Sequence, residues 1–225
     1  MGDGIIKYLK DIFDNVLSVL FSEEEQCPLC EKVVEKTSLC LACRNKIDSI
    51  NEVFVISGEE YSFKGYSVGV YSNAMVGMIK RFKYSRDFQC GRALGELLKE
   101  KILHINIESP ILTFVPMSSK SYKKRGYNQS EYLAKVVGRE LNIPVVNTLY
   151  KCKETLDQIG LNGSERWSNV DDSFKLNEGI KIKNRKIIII DDVITTGATA
   201  YNCGKELMKN GAKEINILTV AKSNV

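Results

Sequence analysis

The sequence contains no apolar run approaching the roughly 18 to 20 residues that a bilayer-spanning helix needs, so no membrane span is expected. The stretch Ile5–Phe21 comes nearest, but Lys7, Lys10, Asp11 and Asp14 interrupt it at helical spacing. It reads as an amphipathic helix packed onto the body. No small-residue cleavage site follows, which argues against a signal peptide and for a cytoplasmic, reducing compartment. There, seven cysteines point to metal rather than disulfides. An excess of either charge is also missing. The 32 Lys and Arg against 28 Asp and Glu leave +4, which tolerates anionic ligands but does not by itself indicate nucleic acid. Internal repeats and low-complexity tracts are absent. What is present, 44% hydrophobic and 27% charged residues over 225 positions, suits one ordinary domain with a small appendage, or two small domains.

Periodicity predicts a hairpin over Val53–Ser72, turning around Ser57–Glu60, with Val53, Val55, Val68 and Val70 on its strands. From Asn73 the pattern is helical, with one stripe of Met75, Met78, Ile79 and Phe82 and another of Leu94, Leu97, Leu98 and Ile102. His104 falls at the end of that helical stretch, where it reads as a surface residue. Ile111–Val115 reads as a short strand stopped by Pro116. Gln129–Leu141 reads as a helix with Asn128 as its N-cap and Asn142 as its exit. A short strand is expected near Pro144–Val146, then a polar stretch without a period from Lys151 to Asp172. Ile187–Ile190 suits a buried central parallel strand. Thr199–Asn210 reads as a helix ended by Gly211, and Ile215–Ala221 as the next strand. Strands alternating with helices imply an α/β domain with a parallel sheet.

Cys27-Pro28-Leu29-Cys30 and Cys40-Leu41-Ala42-Cys43 form two C-x2-C pairs separated by nine residues. Each pair turns two thiolates toward one ion, and two pairs complete the tetrahedral sulfur shell that Zn²⁺ favours. A structural Zn²⁺ is the expected occupant, with an iron–sulfur cluster as the alternative. Four protein ligands leave no open position for catalysis, so the ion would stabilise a segment too small to build a core. Cys90, Cys152 and Cys203 lie apart and read as buried thiols.

The run Ile187–Ile190 delivers Asp191 and Asp192 to the carboxyl edge of the sheet, where open α/β folds bind ligands. Thr195, Thr196, Gly197, Ala198 and Thr199 then lead into a helix, whose N-terminus and backbone N–H groups suit a phosphate. Carboxylates repel a phosphate but accept the hydroxyls of a sugar attached to it, so a 5-phosphoribosyl group satisfies both halves. No Gly-Lys-Ser/Thr follows, which excludes a Walker loop. After the earlier strand, Met117, Ser118, Ser119 and Lys120, with Arg125 shortly beyond, form a flexible basic loop suited to a leaving pyrophosphate. Lys123 and Lys124 belong to the same cluster, either as ligand contacts or as solvated bystanders.

The segment Asp191–Thr199 resembles the phosphoribosyl pyrophosphate signature of type I phosphoribosyltransferases. Arg125-Gly126-Tyr127-Asn128-Gln129, Phe82-Lys83-Tyr84, and Gln158, Leu161, Arg166 and Asn169 before Phe174 are similar to motifs of the ComF family, as are the cysteine pairs. Lys151 and Lys153 depart from the arginines of many relatives, and the proline before Gln158 is absent. The resemblance implies a type I phosphoribosyltransferase-like parallel sheet flanked by helices (residues 51–225) behind a helix and a small four-cysteine zinc module (residues 1–50). A mobile hood loop would span about 151–172. By resemblance, Asp191 and Asp192 hold the ribose hydroxyls as catalytic residues, and Thr195 to Thr199 wrap the 5′-phosphate. The loop after the earlier strand meets the pyrophosphate, with Gln158 and Arg166 as hood candidates. Arg166 either reaches the ligand or ties the loop to the body, and Trp167 either packs or stacks on a base. The implied activity is Mg²⁺-assisted transfer from phosphoribosyl pyrophosphate to an unknown nitrogen acceptor, a glycosyltransferase reaction in the setting of DNA uptake. The alternative is a non-catalytic protein that binds this ligand or a nucleotide together with single-stranded DNA, beside a helicase-like competence protein. Tyr122 and Tyr127, interleaved with the cations Lys120–Arg125, suit single strands.

Overall fold

In the computed structural model, residues 26–35, 37–105, 107–108, 110–153 and 173–223 are described. The elements run α1 (Leu41–Arg44), β1 (Phe54–Ser57), β2 (Ser62–Val70), α2 (Asn73–Ser85), α3 (Phe88–Ile105), β3 (Ile111–Phe114) and α4 (Ser119–Arg125). They continue with α5 (Gln129–Leu141), β4 (Leu149–Lys151), β5 (Phe174–Leu176), β6 (Lys186–Ile194), α6 (Ala198–Lys209) and β7 (Glu214–Lys222). Five strands make one sheet in the order β1-β2-β7-β6-β3, and β4 with β5 makes a second, two-stranded one. In the larger sheet only β1 and β2 are antiparallel. The β2–β7, β7–β6 and β6–β3 pairs are parallel. This is the expected α/β class.

Strand β6 explains the layering. Ile187 to Ile190 are all fully buried, because both faces of the strand are covered. Ile188 and Ile190 pack with Met78, Phe82 and Leu94 of α2 and α3 and with Leu133 of α5. Ile187 and Ile189 pack on the opposite face with Cys203 and Leu207 of α6. Helix α5 has the ends read from its sequence. The Asn128 carbonyl oxygen Oδ1 accepts from the Ser130 N–H at 3.0 Å, and Asn142 leaves the helix at φ 52°. The methionine and leucine stripes are buried as expected.

Several elements differ from the sequence reading. Val53 precedes β1, and the chain turns between Ser57 and Ser62. Pro144–Val146 is no strand. Pro144 lacks the N–H a ladder needs, and Val145 makes only an isolated parallel bridge to Leu112. The strand comes later, as β4, and takes in Lys151, assigned above to a mobile loop. The basic segment after β3 is helical rather than a flexible loop. Ser118 Oγ caps it by accepting from the Ser121 N–H at 3.2 Å, and Gly126 closes it at φ 85°. Cys90 and Cys203 are buried, but Cys152 is exposed, just beyond the edge of β4. His104 is exposed as expected. The N-terminal helix at Ile5–Phe21, and Gln158, Leu161, Arg166, Trp167 and Asn169 with the rest of the hood loop beyond Lys153, lie outside the described residues. Among the described residues, no helix is long and apolar enough to cross a membrane.

Candidate functional site

Strand β3 ends at Phe114, level with Ile190, while its parallel neighbour β6 runs on through Asp191 and Asp192 to Ile194, and beyond the carboxyl end of β3 opens a cleft of about 560 Å³. Asp191, Asp192 and all of Thr195 to Thr199 line it, as do Met117, Ser118 and Arg125 from the opposite rim. Ser119 and Lys120 are not brought there. They lie on the exposed side of α4, because the helical turn points them away from the strand ends. Gln158 and Arg166 lie outside the described residues.

One wall is the turn into α6. Gly197 sits at φ 82° and caps the helix, a left-handed turn packed so closely on Ile56 that a Cβ would have no room. The first N–H groups of a helix have no intrahelical acceptor. Here the Ala198 N–H donates to Thr196 Oγ1 at 3.4 Å, and Thr195, Thr196 and Thr199 line the cleft beside the helix start. That wall suits an oxyanion.

The floor is acidic. Asp191 Oδ1 accepts from Ser130 Oγ at 2.7 Å and from the Asp192 N–H at 2.9 Å. Asp192 Oδ2 lies 2.8 Å from Lys83 Nζ, which is delivered by the last turn of α2. Burial, then the neighbouring Asp192 charge, pushes the Asp191 carboxyl up to about 7, against the opposing pull of Ser130 and Lys83. For Lys83, burial alone would lower the ammonium pKa, but the charges of Asp192 and Asp191 outweigh it and the net shift is upward. A carboxyl raised in the folded chain contributes stability that is full below its unfolded value near 3.8 and is lost as pH rises through about 7. Asp191→Asn is therefore expected to leave thermal stability unchanged near pH 4. Above pH 7 it should raise Tm by several degrees, on the order of 4 kcal/mol at most. A Tm gap independent of pH would count against this account.

The third wall is cationic and aromatic. Arg125 Nη1 donates to Gln129 Oε1 at 3.1 Å, and its guanidinium stands 5.5 Å above the Tyr84 ring. Behind them Phe82, Phe88, Tyr127 and Tyr132 form one aromatic cluster, and the Tyr127 hydroxyl donates to the Phe82 carbonyl. Lys83, Tyr84 and Ser130 are site residues that the sequence reading does not single out. For the first two the available signal is the Phe82-Lys83-Tyr84 motif, which by itself marks only a helix end.

Away from the cleft, the sulfurs of Cys27, Cys30, Cys40 and Cys43 all lie within 4.8 Å of one another, and Cys30 and Cys40 approach to 3.6 Å. Four sulfurs on a tetrahedral Zn²⁺ stand about 3.8 Å apart, so the donor set fits a metal ion. Burial opposes ionisation of Cys27, but bonds from the backbone at Cys40, Leu29 and Cys30 outweigh it and bring the thiol down to about 6. The module is tied to the domain by Arg81, which donates to the Pro28 carbonyl, and by Ser38, whose Oγ donates to Glu96 at 2.6 Å.

No family model matches the chain. Competence protein F of Haemophilus influenzae is 29% identical over 210 residues, covering 88% of this chain and 90% of that protein. Competence protein ComFC of Streptococcus pneumoniae is 28% identical, covering 88% and 81%. DNA utilization protein YhgH of Escherichia coli K12 is 26% identical, covering 70% and 71%. Among solved structures, glutamine phosphoribosylpyrophosphate amidotransferase from B. subtilis aligns at a TM-score of 0.43 with 20% identity, over 63% of this chain and 30% of its own. A hypoxanthine phosphoribosyltransferase from Staphylococcus aureus aligns at 0.38 with 11% identity, over 60% and 66%.

Proposed function

We propose that this chain, a homologue of competence proteins F and ComFC and of YhgH over most of its length, binds phosphoribosyl pyrophosphate and transfers its 5-phosphoribosyl group to a nitrogen nucleophile. The observation that carries the reading is the order of groups across one cleft: a helix N-terminus with threonines, paired carboxylates, then cations. A sugar with a phosphate at one end and a pyrophosphate at the other matches that order.

The Thr195–Thr199 turn would take the 5′-phosphate, and Asp191 and Asp192 would accept the ribose hydroxyls. Met117, Ser118 and Arg125 would face the pyrophosphate. The C1′–O bond breaks with its electron pair leaving on pyrophosphate, the nucleophile's nitrogen bonds C1′, and that nitrogen releases a proton. The walls contribute orientation and charge complementarity held ready in a partly water-excluded site. Mg²⁺, bound mainly through ligand oxygens and water, would supply further neutralisation of the pyrophosphate. In the same reading the four cysteines of the N-terminal residues 1–50 hold one structural Zn²⁺, and residues 51–225 form the transferase domain.

One observation favours a second reading, a ligand-binding protein that engages single-stranded DNA. Of the two tyrosines read as stacking platforms, Tyr122 is 50% exposed beside the cations of α4, where a base could stack, whereas Tyr127 packs on Phe82 and Phe88.

Calorimetric titration with phosphoribosyl pyrophosphate and Mg²⁺ tests the proposal, comparing the parent with Asp191→Asn/Asp192→Asn. Losing hydrogen bonds to two charged acceptors is expected to weaken binding on the order of 100-fold. Release of pyrophosphate on addition of nitrogen nucleophiles separates a transferase from a binder. A folded, metal-loaded parent that binds no ligand would end the proposal.

A further inference from the structure

Lys83 is the least explained charge in the cleft. Its side chain is only 19% exposed, yet it lies outside the buried stripe of Met75, Met78, Ile79 and Phe82 that anchors α2. Taking an ammonium out of water is costly, and an ion pair repays that poorly unless the remaining donors are used. Among the described residues Asp192 is the one hydrogen-bonding partner of Nζ, which leaves two of the ammonium's three N–H groups for something else in the cleft it lines.

Charge placement says what that is. Arg125 lies close enough to Lys83 to oppose its positive charge, and it stacks over Tyr84, the next residue. Two cations converging on one corner, behind a carboxylate that only one of them contacts, call for a multiply charged oxyanion. The phosphate-binding turn is not that partner. Helix α6 packs on one face of the sheet, whereas α2 reaches the carboxylates from the other face. We propose that Lys83 is a catalytic residue for the leaving group, one ammonium bridging Asp192 and the pyrophosphate oxygens. This rests on the phosphoribosyl reading above and deepens it.

As the C1′–O bond breaks and its electron pair moves onto pyrophosphate, Lys83 strengthens its hydrogen bonds to the oxyanion while keeping its proton. Asp192 fixes the ammonium at the leaving-group side of the sugar. The Phe82-Lys83-Tyr84 run then has a mechanical reading. Phe82 seats the helix end in the aromatic cluster, Lys83 enters the cleft, and Tyr84 supports Arg125.

The test compares Lys83→Gln and Lys83→Arg with the parent, titrating pyrophosphate with Mg²⁺ and, separately, ribose 5-phosphate. Lys83→Gln is expected to weaken pyrophosphate binding at least about tenfold, as for loss of a charge-assisted hydrogen bond. Ribose 5-phosphate affinity should stay within about threefold, a split that general misfolding would not produce. Lys83→Arg should recover much of the pyrophosphate affinity. Equal losses for both ligands, or unchanged pyrophosphate binding in Lys83→Gln, would overturn the assignment of Lys83 alone. A parent that binds neither ligand would instead remove the phosphoribosyl reading on which it rests.

Discussion

Under the proposed zinc site, removing the ion from the cysteine cluster, or replacing Cys43 by serine, is expected to lower Tm on the order of 10 °C. The module's own resources are slight. Its regular structure among the described residues is the four-residue α1 and two isolated bridges, Gln26 to Val33 and Ser49 to Gly69. Among the described residues, its buried apolar side chains beyond the cysteines are Pro28, Val34, Leu39 and Ile47. So small a core does not hold a segment of this length against its chain entropy. Cys43 is 3% exposed, and burial pushes its thiol up to about 12, so without a cation to stabilise the thiolate it stays protonated. Serine there would leave a hydroxyl in a pocket shaped for a metal ligand.

The loss should not stop at the module. Cys27, Val34, Leu39 and Cys43 share one cluster with Met75, Ile79 and Leu98, so releasing them opens the outer side of α2 and α3. Arg81, which holds the Pro28 carbonyl, and Lys83, which holds Asp192, stand two residues apart near the end of α2. Hydrogen exchange should therefore rise first in residues 26–50 and next at the end of α2. Metal analysis should give one zinc per chain before chelation. A Tm unchanged after verified metal loss would mean the knuckles are held alone by Arg81, by Ser38 and by the ion pair of Arg44 with Glu100.

What could be read in the sequence follows from how far each signal reaches along the chain. The Ile187–Ile190 strand, the asparagines at the two ends of α5 and the turn at Gly197 are local signals, and each produces its element in place. The cysteine pairs were equally legible, because a knuckle is a short-range geometry. Strands β4 and β5 were not, since each has three residues and neither is long enough to show a period. Helix α4 hid behind its charge, although Ser118 before it and Gly126 after it are ordinary capping residues. The Lys83–Asp192 pair is invisible to any local rule. It exists only because α2 and β6, far apart in the chain, end at the same edge of the sheet.

Replacing Gly197 by alanine should do more harm than its single methyl group suggests. The residue sits at φ 82°, where an L side chain costs about 1–2 kcal/mol. Its Cβ would also stand 2.8 Å from Ile56 Cγ2, with Ile194 Cδ1 at 3.7 Å, and Ile56 is only 5% exposed. Overpacking of that kind adds about 1–3 kcal/mol, so a total loss of about 2–5 kcal/mol is expected. The two contributions can be separated. Ile56→Ala beside Gly197→Ala removes the collision but not the backbone strain, so the double variant should recover part of the loss beyond additivity. Ligand binding gives the functional counterpart. If the backbone N–H groups of this turn hold the 5′-phosphate, their displacement should weaken ribose 5-phosphate binding at least about tenfold in both variants, because relieving Ile56 does not restore the left-handed turn. Recovery of affinity with recovery of stability would mean that the turn matters only as packing, and that the phosphate is held elsewhere in the cleft.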